Sequence, residues 1–327
     1  MVETAKELTG PSSATINIAR DFTNNGTFNH NNGTIAFNGT TQTIGGAAQN
    51  LFNDLTIATG SSTTLNTSGQ TLRGVLLSNG TFNTGGYLTL ISDAAQTALI
   101  DGTGTGDVNG AITMQRYLPS GFGYKYYSSP CTAATVGEFS DDMDLSASFP
   151  TFYRYDENRT SAGWVDYTDP AGALVPLIGY AVNFGSSLTA LTTDISGTVN
   201  NGTISAIDLY NHNNTYTKGF NLIGNPYPSP IDWDAATGWT RTNIDDALYY
   251  FDAGSTDQYV GTYSTYINGV SSDGVADNII ASMQGVFIHV SDGAYPVVGI
   301  FGMNNSVRVN NLSPVFHKST QTDDRPL

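Results

Sequence analysis

The chain has 327 residues and carries 12 basic against 28 acidic side chains, a net charge of −16. The length suits two or three domains. The few scattered bases exclude a phosphate-neutralising footprint, and with it nucleic acid or an anionic membrane surface as partner. Charged residues make up only 12 % of the chain, about half the usual share, so solubility rests on hydroxyls and amides, as in many secreted and surface proteins. No apolar run approaches the ~18 residues of a membrane-spanning helix. A single cysteine, Cys131, leaves no internal disulfide and is expected to be a buried structural thiol. The opening Met1-Val2-Glu3-Thr4 carries no signal peptide, and any export signal is expected to have been removed ahead of it.

Residues 21–92 contain only three charged side chains, Asp21, Asp54 and Arg73, while 37 of these 72 residues are Gly, Asn or Thr. Short β-type runs alternate with Asn-Gly pairs at Asn25-Gly26, Asn32-Gly33, Asn38-Gly39 and Asn79-Gly80. Asn-Gly can mark a hairpin. Runs such as Leu51-Phe52-Asn53-Asp54-Leu55-Thr56-Ile57, however, offer too few inward residues each to cover a sandwich face. Stacked as rungs of a parallel solenoid they bury one continuous column, with Gly and Asn at the corners. Gly26-Thr27-Phe28 recurs at Gly80-Thr81-Phe82, 54 residues on, which suggests two or three rungs of roughly twenty residues. A small β-helix is preferred here over an antiparallel sandwich.

Near 93–117 the composition changes. Asp101-Gly102-Thr103-Gly104-Thr105-Gly106-Asp107 is turn-rich, and 17 of the 18 tyrosines and all three tryptophans lie at 117 or beyond. Ala111–Tyr117 and Gly123–Tyr127 read as the first strands of a duplicated region. Gly123-Tyr124 and Gly219-Phe220 are 96 residues apart, as are Pro130 and Pro226, and Tyr153-Arg154-Tyr155-Asp156 and Tyr249-Tyr250-Phe251-Asp252. Leu177–Val182 answers Met283–Ile288 at 106, and Trp164 and Tyr167 answer Tyr263 and Tyr266 at 99, so the second copy carries longer loops. The strand-length segments and the lack of helical periodicity predict an all-β region, with at most a helical turn after Pro228-Ser229-Pro230. Whether each copy is its own sandwich or the two interlock stays open.

The stretch Gly219–Trp233, with Tyr249-Tyr250-Phe251-Asp252 and Met283–Phe287, resembles a segment of large exported cell-surface proteins of the Bacteroidetes. These are adhesin-like and are often carried by the type IX secretion system. Gly33–Ile44 is similar to the β-helical repeats that precede such modules. The resemblance implies export, and a role as spacer, adhesin or enzyme attachment.

Candidate chemistry is sparse. Glycan-cleaving β-helices need clustered carboxylates, or Lys/Arg with Ca²⁺, whereas the solenoid stretch 21–92 offers two Asp and one Arg, far apart. Asp232, Asp234, Asp245 and Asp246 are hard oxygen ligands of the kind that hold Ca²⁺, with capping of backbone N–H groups as the competing role. The four histidines have no metal-ligand spacing, with His289 expected on a solvent-facing strand position. No Gly-x-Ser-x-Gly elbow or phosphate loop is present. Trp164, Tyr167, Trp239, Tyr259, Tyr263 and Tyr266 lie in polar, loop-like surroundings, where rings can stack on sugar faces. The alternative is that they plug the ends of the cores.

The expected architecture is therefore a parallel β-solenoid over 1–110, then related β-sandwich or jelly-roll-like modules over 111–214 and 215–315, with 316–327 as a tail or the truncated start of a next module. The expected function is a non-enzymatic segment of a secreted cell-surface protein, a stalk with an adhesion or glycan-contact module. It would meet extracellular polysaccharide or cell-surface components without inserting into a membrane, and would need no cofactor beyond a structural Ca²⁺. The alternative is an accessory region of a secreted polysaccharide-degrading enzyme.

Overall fold

The computed structural model describes residues 1–313 and Phe316. The fold is all-β, and it begins as a parallel solenoid of about five turns. One face stacks Thr15–Ile18, Thr34–Phe37, Asp54–Ile57, Val75–Ser78 and Leu99–Ile100. A second stacks Phe22–Thr23, Thr41–Gly45, Ser62–Leu65, Thr81–Asn83 and Asp107–Asn109. The third runs through Leu51–Phe52, Gln70–Leu72, Leu88–Leu90 and Ala111–Leu118. Ile16, Ile35, Leu55, Leu76 and Ile100 form one in-register column, at steps of 19, 20, 21 and 24 residues. Those steps are the true repeat. Thr27–Asn29 pairs with Glu7–Thr9, whereas Thr81–Asn83 pairs with Ser62–Leu65, so the 54-residue recurrence joins two different ladders.

The glycines of the Asn-Gly corners serve close approach, not a left-handed backbone. A Cβ on Gly26, Gly33, Gly39 or Gly80 would lie 2.2–2.4 Å from the carbonyl oxygen of Lys6, Pro11, Ala19 or Ser61 on the preceding turn. At another corner buried amides continue the ladder, Asn24 Nδ2 donating to Asn50 Oδ1 at 2.8 Å and Asn50 Nδ2 to Gln70 Oε1 at 2.7 Å. Satisfied in this way, these polar groups escape the penalty for unpaired burial.

Ala111–Leu118, placed by the sequence at the opening of the first module, is also the last strand of the solenoid's third face. It pairs parallel with Leu88–Leu90 on one side and antiparallel with Leu191–Val199 on the other. Solenoid and first module thus share a sheet and one hydrophobic core, running from Phe22 through Leu90 to Phe152 and Ile195. Buried Arg116 donates to Thr97 Oγ1 at 3.0 Å and to the Ser282 carbonyl at 2.7 Å, which ties the solenoid to the second module as well. Burial lowers its guanidinium to about 10, still cationic at neutral pH.

The duplication is visible strand by strand. In the first copy the sheet order is Tyr124–Tyr127, Tyr180–Asn183, Phe152–Tyr155, Trp164–Asp166. In the second it is Phe220–Gly224, Gly285–His289, Ala247–Ala253, Gly261–Ile267, with Val270–Ser271 added at the edge. Registers agree to the residue. Tyr126 faces Ala181 as Leu222 faces Phe287, and Tyr155 faces Trp164 as Phe251 faces Tyr263. The 214/215 boundary divides the copies in the wrong place: Ile204–Asn211 pairs with Val297–Met303, as Ala111–Leu118 pairs with Leu191–Val199. That strand alternates weakly and carries none of the aromatic landmarks, so the sequence did not mark it as an opening. Instead of a helical turn, Ile231–Asp232 forms a strand with Ile279–Ile280.

The copies interlock. Ser128 N–H donates to the Met283 carbonyl at 2.9 Å and Gly224 N–H to the Leu177 carbonyl at 3.0 Å, two contacts exchanged by the 96- and 106-residue offsets. Isolated bridges repeat the exchange, Tyr127 with Gln284 and Ile223 with Ile178. Reciprocal contacts of this kind define a two-fold relation between the copies. Gly179 and Gly285 sit where the backbones cross, and a Cβ on Gly179 would come within 2.6 Å of the Ile223 carbonyl.

Candidate functional site

Alternation along each strand sends every second side chain to one face. In the first copy Tyr124, Tyr126, Tyr153, Tyr155 and Trp164 therefore share a face, and in the second Phe220, Tyr249, Phe251, Tyr263 and Phe287 do. These faces meet across the two-fold relation. Tyr126 stacks on Phe251 at 5.1 Å between ring centroids, and Phe287 meets Tyr155 edge-on at 4.7 Å. Trp164 packs within 5.0 Å of Tyr155 and 5.9 Å of Phe287. The Tyr126 and Tyr263 hydroxyls lie 2.8 Å apart. Rings at such distances attract through edge-to-face and offset geometry beyond the area they bury.

The faces do not close completely. Two adjoining hollows remain, of about 310 and 420 Å³, and both are lined by Trp164 and Tyr263. The first adds Tyr124, Tyr153 and Phe251, the second Phe220, Tyr249 and Tyr155. Under the duplication Tyr124 becomes Phe220, Tyr153 becomes Tyr249, Phe251 becomes Tyr155, and Trp164 and Tyr263 change places. The hollows are thus two versions of one site, meeting at a shared pair of rings. Exposed Phe149, Tyr259 and Tyr216 extend the apolar lining outward.

Among the described residues, no acidic, basic or imidazole side chain lines either hollow. The phenols remain neutral: desolvation, reinforced by neighbouring Tyr and acidic groups, pushes Tyr153 and Tyr155 up to about 12, and burial raises Tyr263. At physiological pH the cleft offers ring faces and O–H groups that can donate or accept.

Residues 9–326 match the family described as Domain of unknown function (DUF8693), a span covering the solenoid and both copies without interruption. The chain belongs to the DUF8693 family. No curated protein and no solved structure matches it. The described residues of this DUF8693 chain contain no helix long and apolar enough to cross a membrane.

Of the aromatic residues singled out in the sequence, Trp164, Tyr259 and Tyr263 line the cleft. They do not form paired loops with Tyr167 and Tyr266. Trp164 and Tyr263 are strand residues, and a three-residue step along a strand reverses the face. Tyr167 stacks on Tyr180 at 5.6 Å and donates to the Ala173 carbonyl at 2.9 Å. Tyr266 turns toward the second module's core and donates to Asp234 at 2.5 Å. Trp239 packs on Trp233 and Phe301 in that core, with Arg241 over its ring at 5.0 Å. Tyr126, Tyr153, Tyr155, Phe251 and Phe287 were missed as cleft residues. Their signal was present, as aromatic residues alternating along matching strands of both copies.

The four aspartates do not converge, and among the described residues no three His, Cys, Asp or Glu side chains are placed to hold a metal ion. Asp232 accepts from Asn278 Nδ2 at 2.7 Å and from the Asp234 N–H at 2.9 Å. Asp246 accepts from Trp233 Nε1 at 2.7 Å, and Asp245 from Ser291 Oγ at 2.5 Å. Each carboxylate answers a nearby donor, but of these contacts only that of Asp232 with the Asp234 N–H is the backbone capping weighed against Ca²⁺. His289 is largely buried, with Nδ1 2.6 Å from Asp245 and Nε2 2.9 Å from the Lys218 carbonyl. Neither nitrogen is left to activate a nucleophile, and Ser291 serves the carboxylate instead of the imidazole. Cys131 is buried, and desolvation pushes its thiol up to about 12.

Proposed function

We propose that this chain is a non-enzymatic segment of a secreted cell-surface protein, in which the solenoid is a stalk and the duplicated modules contact a neutral glycan in the aromatic cleft. The observation that carries this reading is the lining of the twin hollows. It consists of ring faces and neutral phenols, the complement of a sugar's C–H faces and hydroxyls, within a chain of net charge −16. A cleft lined without a cation gives an anionic ligand nothing to pair with, and phenols pushed up to about 12, as at Tyr153 and Tyr155, are poorly matched to acid–base work near neutral pH. The composition and the resemblance to Bacteroidetes exported proteins support an extracellular setting, with type IX secretion as the proposed route.

Affinity electrophoresis through gels holding neutral polysaccharides such as cellulose derivatives, xylan and mannan tests this. The wild-type chain should be retarded in at least one gel. Trp164→Ala and Tyr263→Ala should each weaken retention by roughly 3- to 10-fold, as loss of one aromatic contact of about 0.5–1.5 kcal/mol implies. Retention in no gel, or retention indifferent to both substitutions, would refute the reading.

A further inference from the structure

The two-fold relation between the copies has a consequence for any ligand with a direction. We propose that the cleft holds two glycan segments running in opposite senses, one per hollow, and so bridges two strands instead of threading one. This rests on the glycan reading above and concerns how the site is occupied.

An operation that exchanges the hollows has its axis through their midpoint, perpendicular to the line joining them. Travel along that line is therefore reversed between one hollow and the other. A glycan strand has a reducing and a non-reducing end. A single strand laid through both hollows would meet Tyr124, Tyr153 and Phe251 in one sense, then Phe220, Tyr249 and Tyr155 in the opposite sense. Equivalent rings could not both receive the same sugar face in the same orientation. Two segments, each entering its own hollow toward the shared Trp164 and Tyr263, meet equivalent rings equivalently. Size permits it: at about 310 and 420 Å³, each hollow alone falls within the roughly 300–1,000 Å³ of small-ligand pockets.

The copies have diverged enough for the halves to differ. Tyr124 brings a hydroxyl where Phe220 has none, and Phe287 fills space at the centre where its counterpart Ala181 leaves it open. Two binding events of unequal strength are expected.

Calorimetric titration with cellohexaose, xylohexaose and mannohexaose decides the matter. The wild-type chain should bind two molecules of at least one probe. Tyr153 lines only the first hollow and Tyr249 only the second. Tyr153→Ala should weaken one event roughly 3- to 10-fold and leave the other, and Tyr249→Ala should do the reverse. Tyr153→Phe and Tyr249→Phe keep the rings in place and should retain two events, each weakened less than by alanine. They carry the test should an alanine variant fail to fold. A stoichiometry of one, weakened by substitutions in either hollow, would show a single strand across both and overturn the proposal while sparing the glycan reading. Binding of no probe would overturn both.

Discussion

Glu157 is the sharpest place to test how the copies are joined. Its carboxylate, 3 % exposed, leaves the end of the Phe152–Tyr155 strand and enters the second copy's loop between Ile204–Asn211 and Phe220–Gly224. There Oε1 accepts from the backbone N–H of His212 and of Gly219, each at 3.1 Å, and Oε2 lies 2.6 Å from His212 Nδ1. The Glu157 carbonyl adds a bond from Thr217 Oγ1 at 2.6 Å. Substitution by alanine leaves the Gly219 N–H buried without an acceptor, a cost of about 1–3 kcal/mol, and removes bonds to a charged group that contribute about 1.5–3 kcal/mol. Water can reach the partly exposed His212, so the total stays near 3–5 kcal/mol, the usual loss when one partner of a buried pair is removed. Glu157→Gln keeps an oxygen for both N–H groups and should lose only about 1–2 kcal/mol. Urea unfolding of the three proteins measures this. An alanine variant within about 1 kcal/mol of wild type would refute the view that this carboxylate clamps the copies together. The two-fold counterpart of the contact is apolar: a Cβ on Gly123 would meet the Ala253 methyl at 2.9 Å. Ala253→Ser is therefore not expected to reproduce the clamp.

Asp142 is half-buried beside Asp141 and Asp194, and desolvation followed by those two charges pushes it up to about 7. Because the folded value exceeds the ordinary 3.8, its contribution to stability is whole below that pH and lost as pH rises through 7. Asp142→Asn should melt higher than wild type at pH 8 and close to it at pH 4, and equal differences at both pH values would count against this account. Gly179→Ala, which drives a methyl within 2.6 Å of the Ile223 carbonyl, should cost about 1–3 kcal/mol by overpacking. Gly285→Ala, with its nearest contact at 3.0 Å, should cost less in the same urea titration, and the reverse order would contradict the geometry of the crossing.

Much of the architecture was legible because it depends on local rules. Asn-Gly corners and short β-runs specify a solenoid wherever successive turns must approach closely, and rungs of roughly twenty residues were legible although unequal loops let the period drift from 19 to 24. The duplication was legible because strands resist insertion, so Tyr153 and Tyr249 keep both their spacing and their partners. Ile204–Asn211 was misassigned because neither composition nor landmarks mark it, and only its pairing with Val297–Met303 reveals its copy.

The amino-acid sequence by itself determined the all-β class, the coiled first third and the repetition that follows, since periodicity and turn chemistry act over a few residues. It also determined which positions carry rings. Tertiary structure alone decided which rings meet. Trp164 and Tyr167 look alike in sequence, yet strand alternation sends one into the cleft and the other into a core. Tyr126 and Phe251, 125 residues apart, stack only because the copies cross at Gly179 and Gly285. The cleft is a product of that crossing, and no local pattern encodes it.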